Sequence, residues 1–211
     1  MTTLAGYITE TRRLLHDANG NFWSDPELTD YINEGRQHVV QDTGCNRVLQ
    51  SYTIPISTET INFSVLPQGN NTIDVLNINL YWGNSRIPLR YLAWTNFNAQ
   101  LRYWQNYVGR PVAFSMYAPK TIYVGPVTDQ AYVAEFDTVV LPTDLVNSGD
   151  TETLPTPFEH PVPYYAAFKA KYKEQSYGEA EIFKQQYQQE VLQSINSTFT
   201  RRIPSPYSSG Y

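Results

Sequence analysis

Apolar residues near the N-terminus recur at spacings of three and four, the period of an amphipathic helix. Residues 3–16 carry one such stripe, and the stretch from Asp25 to Val40 carries a second, longer one. Ser24 and Glu27 have the spacing of a capping box, in which each side chain accepts a hydrogen bond from a free backbone N–H of the first turn. Gly44 is a natural end for the second helix. The pattern predicts two neighbouring helices joined by a short loop.

Beyond residue 47 the period changes from 3.6 to 2, which indicates β-strands. The alternation along Thr72–Trp82 changes parity near Val75 and Leu76. One extra residue there would keep the strand's five apolar side chains pointing inward, so we predict a β-bulge. A short helix near 94–105 interrupts the strands. The other predicted strands are 50–57, 61–65, 86–92, 112–117, 121–124 and 132–140. Strands 50–57 and 61–65 should form one hairpin, and strands 112–117 and 121–124 should form another.

Helical periodicity returns at Pro161, after a loop rich in Pro, Thr, Asp, Asn and Ser, and Gly178 should break the run into two helices. The terminal helices can bury their stripes only on each other. The predicted fold class is therefore α+β, with N- and C-terminal helices forming a small bundle, an inserted antiparallel β-rich domain and an extended C-terminal tail. The expected ranges are 1–46 and 146–197 for the bundle, 47–145 for the β domain and 198–211 for the tail.

Composition narrows the classes of function. The chain has 211 residues with 41% hydrophobic and 17% charged, so it should form a packed core. Its net charge of −5 argues against a general nucleic-acid binder, but suits a surface past which DNA slides without sticking. The N-terminus lacks the features of a signal peptide, and the apolar runs are too short to span a bilayer. No membrane association is expected.

Motifs for catalysis and cofactor binding are missing from the sequence. It contains neither a P-loop nor the glycine fingerprint of dinucleotide-binding proteins, and no nucleophile elbow. His16, His38 and His160 lack the spacing of metal ligands, and Cys45 is the single cysteine. We therefore predict no catalytic residue, cofactor or metal, and a protein that is not an enzyme.

Aromatic residues form the most conspicuous candidate surface. They cluster around the inserted helix, at Tyr81, Trp82, Trp94, Tyr103 and Trp104. Large amphipathic rings are enriched at interfaces. They would either cap the open end of the sheet, form a ring or tail interface, or offer a platform for carbohydrate.

The order of elements and several short motifs resemble the head-to-tail adaptor family of tailed bacteriophages, also called portal adaptor or head-completion proteins. The motifs are Trp23-Ser24-Asp25 before the second helix, Tyr31-Ile32-Asn33-Glu34 within it, and the strand and turn of Thr121–Pro126. They are structural motifs, and the similarity covers nearly the whole chain.

This resemblance implies a structural virion protein at the head–tail junction, assembled in the host cytoplasm. It would dock on the portal protein as a homo-oligomeric ring, expected to have twelve subunits, extend the DNA channel, and hold tail, nozzle or fibre proteins. The C-terminal tail would run along the portal, with Arg201 and Arg202 as charged anchors and Ile203, Tyr207 and Tyr211 as apolar ones. A terminus without a docking role is the alternative.

A second class of function remains open, a tail component that binds or cleaves glycans in the manner of a muramidase. Glu135 and Asp137 share a strand face with about 7 Å between their Cα atoms, a separation loosely compatible with a two-carboxylate hydrolase. Alternating acids on a solvent-exposed strand face are far commoner as plain surface, so the adaptor is the preferred interpretation.

Overall fold

The computed structural model describes residues 2–104 and 106–199, with the side chains of all but residues 101–103 and 199. The fold is α+β. One compact unit, the helical unit, combines the segment up to Cys45 with the segment from Pro142 onward, and the second, the β unit, is Asn46–Leu141. The helices are α1 (Leu4–Leu14), α2 (Asp25–Thr43), α3 (Trp94–Trp104), α4 (Val162–Lys173) and α5 (Tyr177–Phe199).

The helical unit is a bundle in which α4 contacts α1, α2 and α5. Helix α2 buries Leu28, Ile32 and Val39 completely. At Gly35 the helices come close, because a Cβ added there would lie 3.1 Å from Cδ1 of Tyr165 on α4. The absence of a side chain at this position therefore permits the contact between α2 and α4.

Helix α2 follows the sequence expectation at its end and departs from it at its start. Gly44 adopts a left-handed conformation with φ 63°, and its N–H donates to the carbonyl of Val40. The expected capping box is wrong, because the Ser24 side chain makes no capping hydrogen bond. Glu27 instead accepts hydrogen bonds from Lys173 and from the Tyr31 hydroxyl. Lys173 on α4 therefore takes the place of the Ser24 backbone N–H as the partner of Glu27.

The break between the two C-terminal helices also differs from expectation. Gly178 lies inside the first turn of α5, and the chain reverses just before it. Gln175 adopts the left-handed conformation there, with φ 64°, and its N–H donates to the carbonyl of Tyr172. A polar residue thus performs the reversal that sequence reasoning assigned to glycine.

The β unit contains two four-stranded sheets and a two-stranded ribbon. The first sheet has the order β1-β10-β3-β4 and is antiparallel throughout; the second has the order β2-β8-β7-β5, with β5 parallel to β7. Strands β6 and β9 pair in parallel. The strands are β1 (Arg47–Ile54), β2 (Thr60–Asn62), β3 (Thr72–Trp82), β4 (Ser85–Pro88), β5 (Arg90–Tyr91), β6 (Val108–Gly109), β7 (Ala113–Met116), β8 (Thr121–Gly125), β9 (Val127–Thr128) and β10 (Tyr132–Val140).

The predicted bulge in β3 is confirmed. Asp137 of β10 pairs with Asn77 and Thr138 pairs with Val75, so Leu76 is the extra residue. Its side chain is 44% exposed, which corrects the expectation that it would point inward.

The predicted hairpin of 50–57 with 61–65 is wrong. Strand β1 pairs with β10 and β2 pairs with β8, which places the two segments in different sheets. The hairpin of β7 with β8 is confirmed.

Candidate functional site

An ion pair lies in the interior of the helical unit, between Arg36 of α2 and Glu152 of the segment that leads to α4. The guanidinium Nε lies 2.8 Å from Oε2 of Glu152, and Nη2 lies 2.9 Å from Oε1. Both side chains are almost completely inaccessible, at 0% and 1% exposed. Such a bidentate pair fixes both partners in position and orientation.

The Glu152 carboxylate is fully engaged by donors. Besides those from Arg36, it accepts hydrogen bonds from the Tyr7 hydroxyl, at 2.8 Å, and from the backbone N–H groups of Thr153 and Leu154. Burial alone would raise the pKa of Glu152, but the hydrogen bonds and charge of Arg36 outweigh it, and the pKa lies below its ordinary value. Burial and the neighbouring carboxylate raise the pKa of Tyr7. The network joins α1 and α2 to the connecting segment.

An aspartate, Asp17, organises the loop between α1 and α2. Its carboxylate accepts the backbone N–H groups of Asn21 at 2.8 Å, Phe22 at 3.3 Å and Trp23 at 3.0 Å, and it pairs with Arg12 at 3.1 Å. Burial opposes ionisation, but these donors prevail and the pKa of Asp17 is lowered. These bonds therefore fix the backbone at Phe22, whose side chain is 84% exposed. We call Asp17–Asp25 the Phe22 loop.

A second aspartate, Asp150, organises the segment just after the β unit in sequence. Its Oδ2 accepts the backbone N–H groups of Val146 and Asn147, each at 2.8 Å, and these bonds lower the pKa of Asp150. Its carbonyl accepts the N–H of Leu4 at 3.1 Å. Val146 is 75% exposed.

A groove of about 480 Å³ lies between α1, the start of α2 and the segment 144–148. Leu4 and Leu145 are buried and form its floor, whereas Val146 is exposed on its wall. Asp30 and Asp144 are exposed carboxylates in its lining. We call it the Val146 groove; it is lined by Leu4, Ile8, Pro26, Leu145 and Val146 on the apolar side and by Asp25, Thr29, Asp30, Asn33, Asp144 and Ser148 on the polar side.

The aromatic residues singled out from sequence separate into two groups in the β unit. Trp94 and Trp104 pack against buried Phe97, at ring distances of 6.0 Å and 5.2 Å. A Cβ added at Gly125 would lie 2.3 Å from Trp104, so that ring lies directly on the backbone of β8. These two tryptophans belong to a small hydrophobic cluster, whereas the side chain of Tyr103 lies outside the described residues.

Tyr81 and Trp82 lie at the end of β3 and are 39% and 45% exposed. The Tyr81 hydroxyl donates to Glu135 at 2.9 Å. The Trp82 ring stacks against Tyr132 at 5.8 Å, and the Arg110 guanidinium lies over it at 5.1 Å. Contacts within the chain therefore occupy part of the ring that a sugar would need.

The two carboxylates considered for glycan cleavage are both paired with arginines. Glu135 binds Arg86, and Asp137 binds Arg47 across the strands. Both carboxylates are therefore engaged in ion pairs on the sheet, an ordinary arrangement for acidic residues on an exposed strand face. Among the described residues, no group of three or more histidine, cysteine or acidic side chains could hold a metal ion.

Sequence reasoning missed the Arg36–Glu152 pair and the two aspartate-centred loops. The signal for the pair was a charged residue, Arg36, on the apolar stripe of α2, which requires a buried partner. For the loops the signal was an aspartate close in sequence to the backbone groups it caps, four to six residues ahead of them at Asp17 and three to four residues after them at Asp150. The tail anchors Arg201, Arg202, Ile203, Tyr207 and Tyr211 lie outside the described residues.

None of the described helices combines the length and the apolar character that crossing a membrane requires. A search of curated proteins gives no match to the chain. A family model described as SU10 adaptor protein matches residues 2–208, which includes both units and nearly the whole sequence. The chain therefore belongs to the SU10 adaptor protein family, and it is a structural adaptor protein of bacteriophages.

Proposed function

We propose that the protein is the head-to-tail adaptor that docks as a ring on the portal of a tailed bacteriophage. The ring extends the DNA channel and gives tail, nozzle or fibre proteins a place to attach. The observation that carries this proposal is the family match over residues 2–208, because it covers the helical unit and the β unit together. The net charge of −5 suits a channel through which DNA passes without sequence-specific binding.

The segment after Ser197 is the proposed contact with the portal. It carries two adjacent arginines, Arg201 and Arg202, followed by Ile203, Tyr207 and Tyr211. A short segment with both charged and apolar anchors can cover a large partner surface if it orders on binding. For the β unit we propose a subunit or tail contact through Tyr81 and Trp82, whose side chains are more exposed than those of Trp94 and Trp104.

Native mass spectrometry of the protein with its portal ring tests this proposal. The full-length chain should bind in a fixed multiple, expected to be twelve, and a chain that ends at Ser197 should fail to bind. Arg201→Ala/Arg202→Ala separates the charged anchors from the apolar ones, and Arg13→Ala is the matched control. A full-length protein that ignores the portal would contradict the proposal and favour the glycan-binding tail component.

A further inference from the structure

We propose that the β unit binds an acidic side chain of a tail protein through Arg110, which lies over the ring of Trp82. The inference rests on the adaptor function proposed above and names the chemistry of its tail contact. The Arg110 guanidinium lies 5.1 Å from the centre of the Trp82 ring, and the same ring stacks against Tyr132 at 5.8 Å.

Arg110 is an exposed cation without a carboxylate partner. Within the described residues it donates no hydrogen bond and forms no ion pair. Most arginines whose side chains are described do pair with a carboxylate of the chain, namely Arg12, Arg13, Arg36, Arg47 and Arg86. The N–H donors of Arg110 are therefore open to an acceptor from another molecule.

The stacking on Trp82 orients Arg110 without using its donors. A guanidinium that lies on an aromatic face keeps its N–H groups in the plane of the fork, where a carboxylate accepts a pair of them side by side. Because the side chain is already held, it loses less rotamer freedom when the acid binds. Arg110 thus offers a preformed receptor for a carboxylate.

A pocket of about 470 Å³ adjoins the Trp82 ring. Its lining includes Tyr81, Gln130, Tyr132 and Val133, and the side chain of Val133 is 47% exposed. The volume lies in the range of pockets that enclose small ligands, so an apolar group beside the acid fits here. Tryptophan, tyrosine and arginine are the residue types that dominate binding energy at interfaces, and all three meet at this place.

The surrounding charge favours a single carboxylate over the phosphates of a nucleic acid. The β unit carries six basic and five acidic residues, whereas nucleic-acid binding calls for a clustered excess of basic ones. At the site itself, Asp129 accepts the Tyr132 hydroxyl at 2.6 Å and adds negative charge. One unpaired cation beside an acidic residue suits one carboxylate and does not suit a run of phosphates.

The exposure of the site favours a tail protein over a second copy of the chain. Tyr81 and Trp82 are 39% and 45% exposed, and the central group is a charge. Permanent contacts between subunits are the more hydrophobic ones, whereas partners that fold separately and meet later use a larger share of polar contacts. Complementary charge also guides such an encounter and fixes its register. A tail that joins a completed head is a partner of this kind.

Attachment of purified tails to heads tests the role of Arg110. The heads are assembled without the protein and then supplied with the unchanged protein or a variant. Arg110→Glu should give fewer tailed particles by about tenfold or more, because it removes one partner of a charge pair. Its melting temperature and its binding to the portal should be unchanged, since the side chain is exposed.

Arg90→Glu is the matched control. It makes the same change of charge at an exposed arginine of the β unit that has neither an ion pair nor a stacked ring within the described residues, and it should attach tails normally. Normal attachment by Arg110→Glu, or equal losses in both variants, would overturn the inference while the adaptor function stands. If the unchanged protein attaches no tails, the adaptor function fails and the inference fails with it.

Photo-cross-linking identifies the occupant. Asn84→Cys, next to the pocket residue Gly83, carries a benzophenone maleimide in a Cys45→Ser background, since Cys45 is the single cysteine of the chain. In assembled virions we expect a product with a tail protein, at a segment that contains Asp or Glu. Leu49→Cys, exposed on β1 at the opposite edge of the sheet, should not give this product.

Replacement of the cross-linked acid in the tail protein by its amide should reduce tail attachment as strongly as Arg110→Glu does. Products of Asn84→Cys with a second copy, with the portal or with DNA in place of the tail protein would overturn the inference. The absence of any product, or normal attachment after the acid is replaced, would also overturn it.

Discussion

Arg36 and Glu152 are 116 residues apart in sequence and form a bidentate ion pair in the interior of the helical unit, with nitrogen–oxygen distances of 2.8 Å and 2.9 Å. The pair links the N-terminal half of the helical unit to its C-terminal half, between which the whole β unit is inserted. It therefore ties α2, which precedes the insertion, to the segment that follows it.

Removal of one partner should strongly destabilise the helical unit. Arg36→Met leaves the Glu152 carboxylate buried without its cation, so we expect a loss of about 3–5 kcal/mol in the free energy of unfolding. Arg36→Met/Glu152→Leu should recover part of that loss, because it removes the buried charge as well. Urea denaturation followed by circular dichroism measures both values. Arg13→Ala, at an exposed pair of 3.9 Å, should change the free energy by no more than about 0.5 kcal/mol.

Acid should destabilise the protein in a defined range of pH. The pKa values of Asp17, Asp150 and Glu152 are lowered in the folded state. The ionised carboxylates therefore stabilise the folded protein fully at pH values above their unfolded pKa of about 4. This stabilisation is lost as the pH falls through the folded values, below about 4. Urea denaturation at pH 7, 5, 4 and 3 should show a plateau and then a decline. Asp17→Asn should have a shallower decline; an unchanged slope would argue against this assignment.

A side chain at Gly35 should disturb the contact of α2 with α4. The Tyr165 ring cannot move away easily, because its hydroxyl binds Glu34 at 2.9 Å and its face stacks on His38 at 4.8 Å. Gly35→Val should cost about 1–3 kcal/mol in the free energy of unfolding. The control is Gly178→Ala in α5, where no atom lies within 4 Å of the added Cβ, and it should stabilise by up to about 1 kcal/mol. Equal effects in thermal denaturation would contradict the close approach.

The two groups of tryptophans should respond differently to truncation. Trp104→Ala removes the ring that packs on Phe97 and on the Gly125 backbone, so the β unit should lose about 2 kcal/mol, less than a fully buried aromatic. Trp82→Ala should cost no more than about 1 kcal/mol. Urea denaturation followed by fluorescence of the remaining tryptophans measures both. Equal losses would show that Trp82 is also structural.

Much of the fold follows from local pattern. The apolar stripe of α2 and the left-handed Gly44 at its end are local features, and the parity change at Leu76 located the bulge without any knowledge of the partner strand. These features depend on residues within one or two turns or on one strand, which a single sequence displays directly.

The sequence predictions failed where residues far apart in the chain determine the local structure. The segments 50–57 and 61–65 look like a hairpin, but each pairs with a strand about 60–90 residues away, and local alternation does not identify that partner. Glu27 was expected to cap its own helix and instead binds Lys173. The partner of Arg36 was missed for the same reason, because Glu152 lies beyond the β unit in sequence. Sequence alone predicted the helices around these residues but not the hydrogen bonds that fix the backbone at Phe22 and Val146.

The adaptor function is tested most directly by assembling virions without this protein in the phage that encodes it and imaging the particles by electron microscopy. We expect DNA-packaged heads and free tails that do not join, and we expect purified protein added to the heads to restore tail attachment. Tailed particles of normal appearance in the absence of the protein would contradict its role as the head-to-tail adaptor.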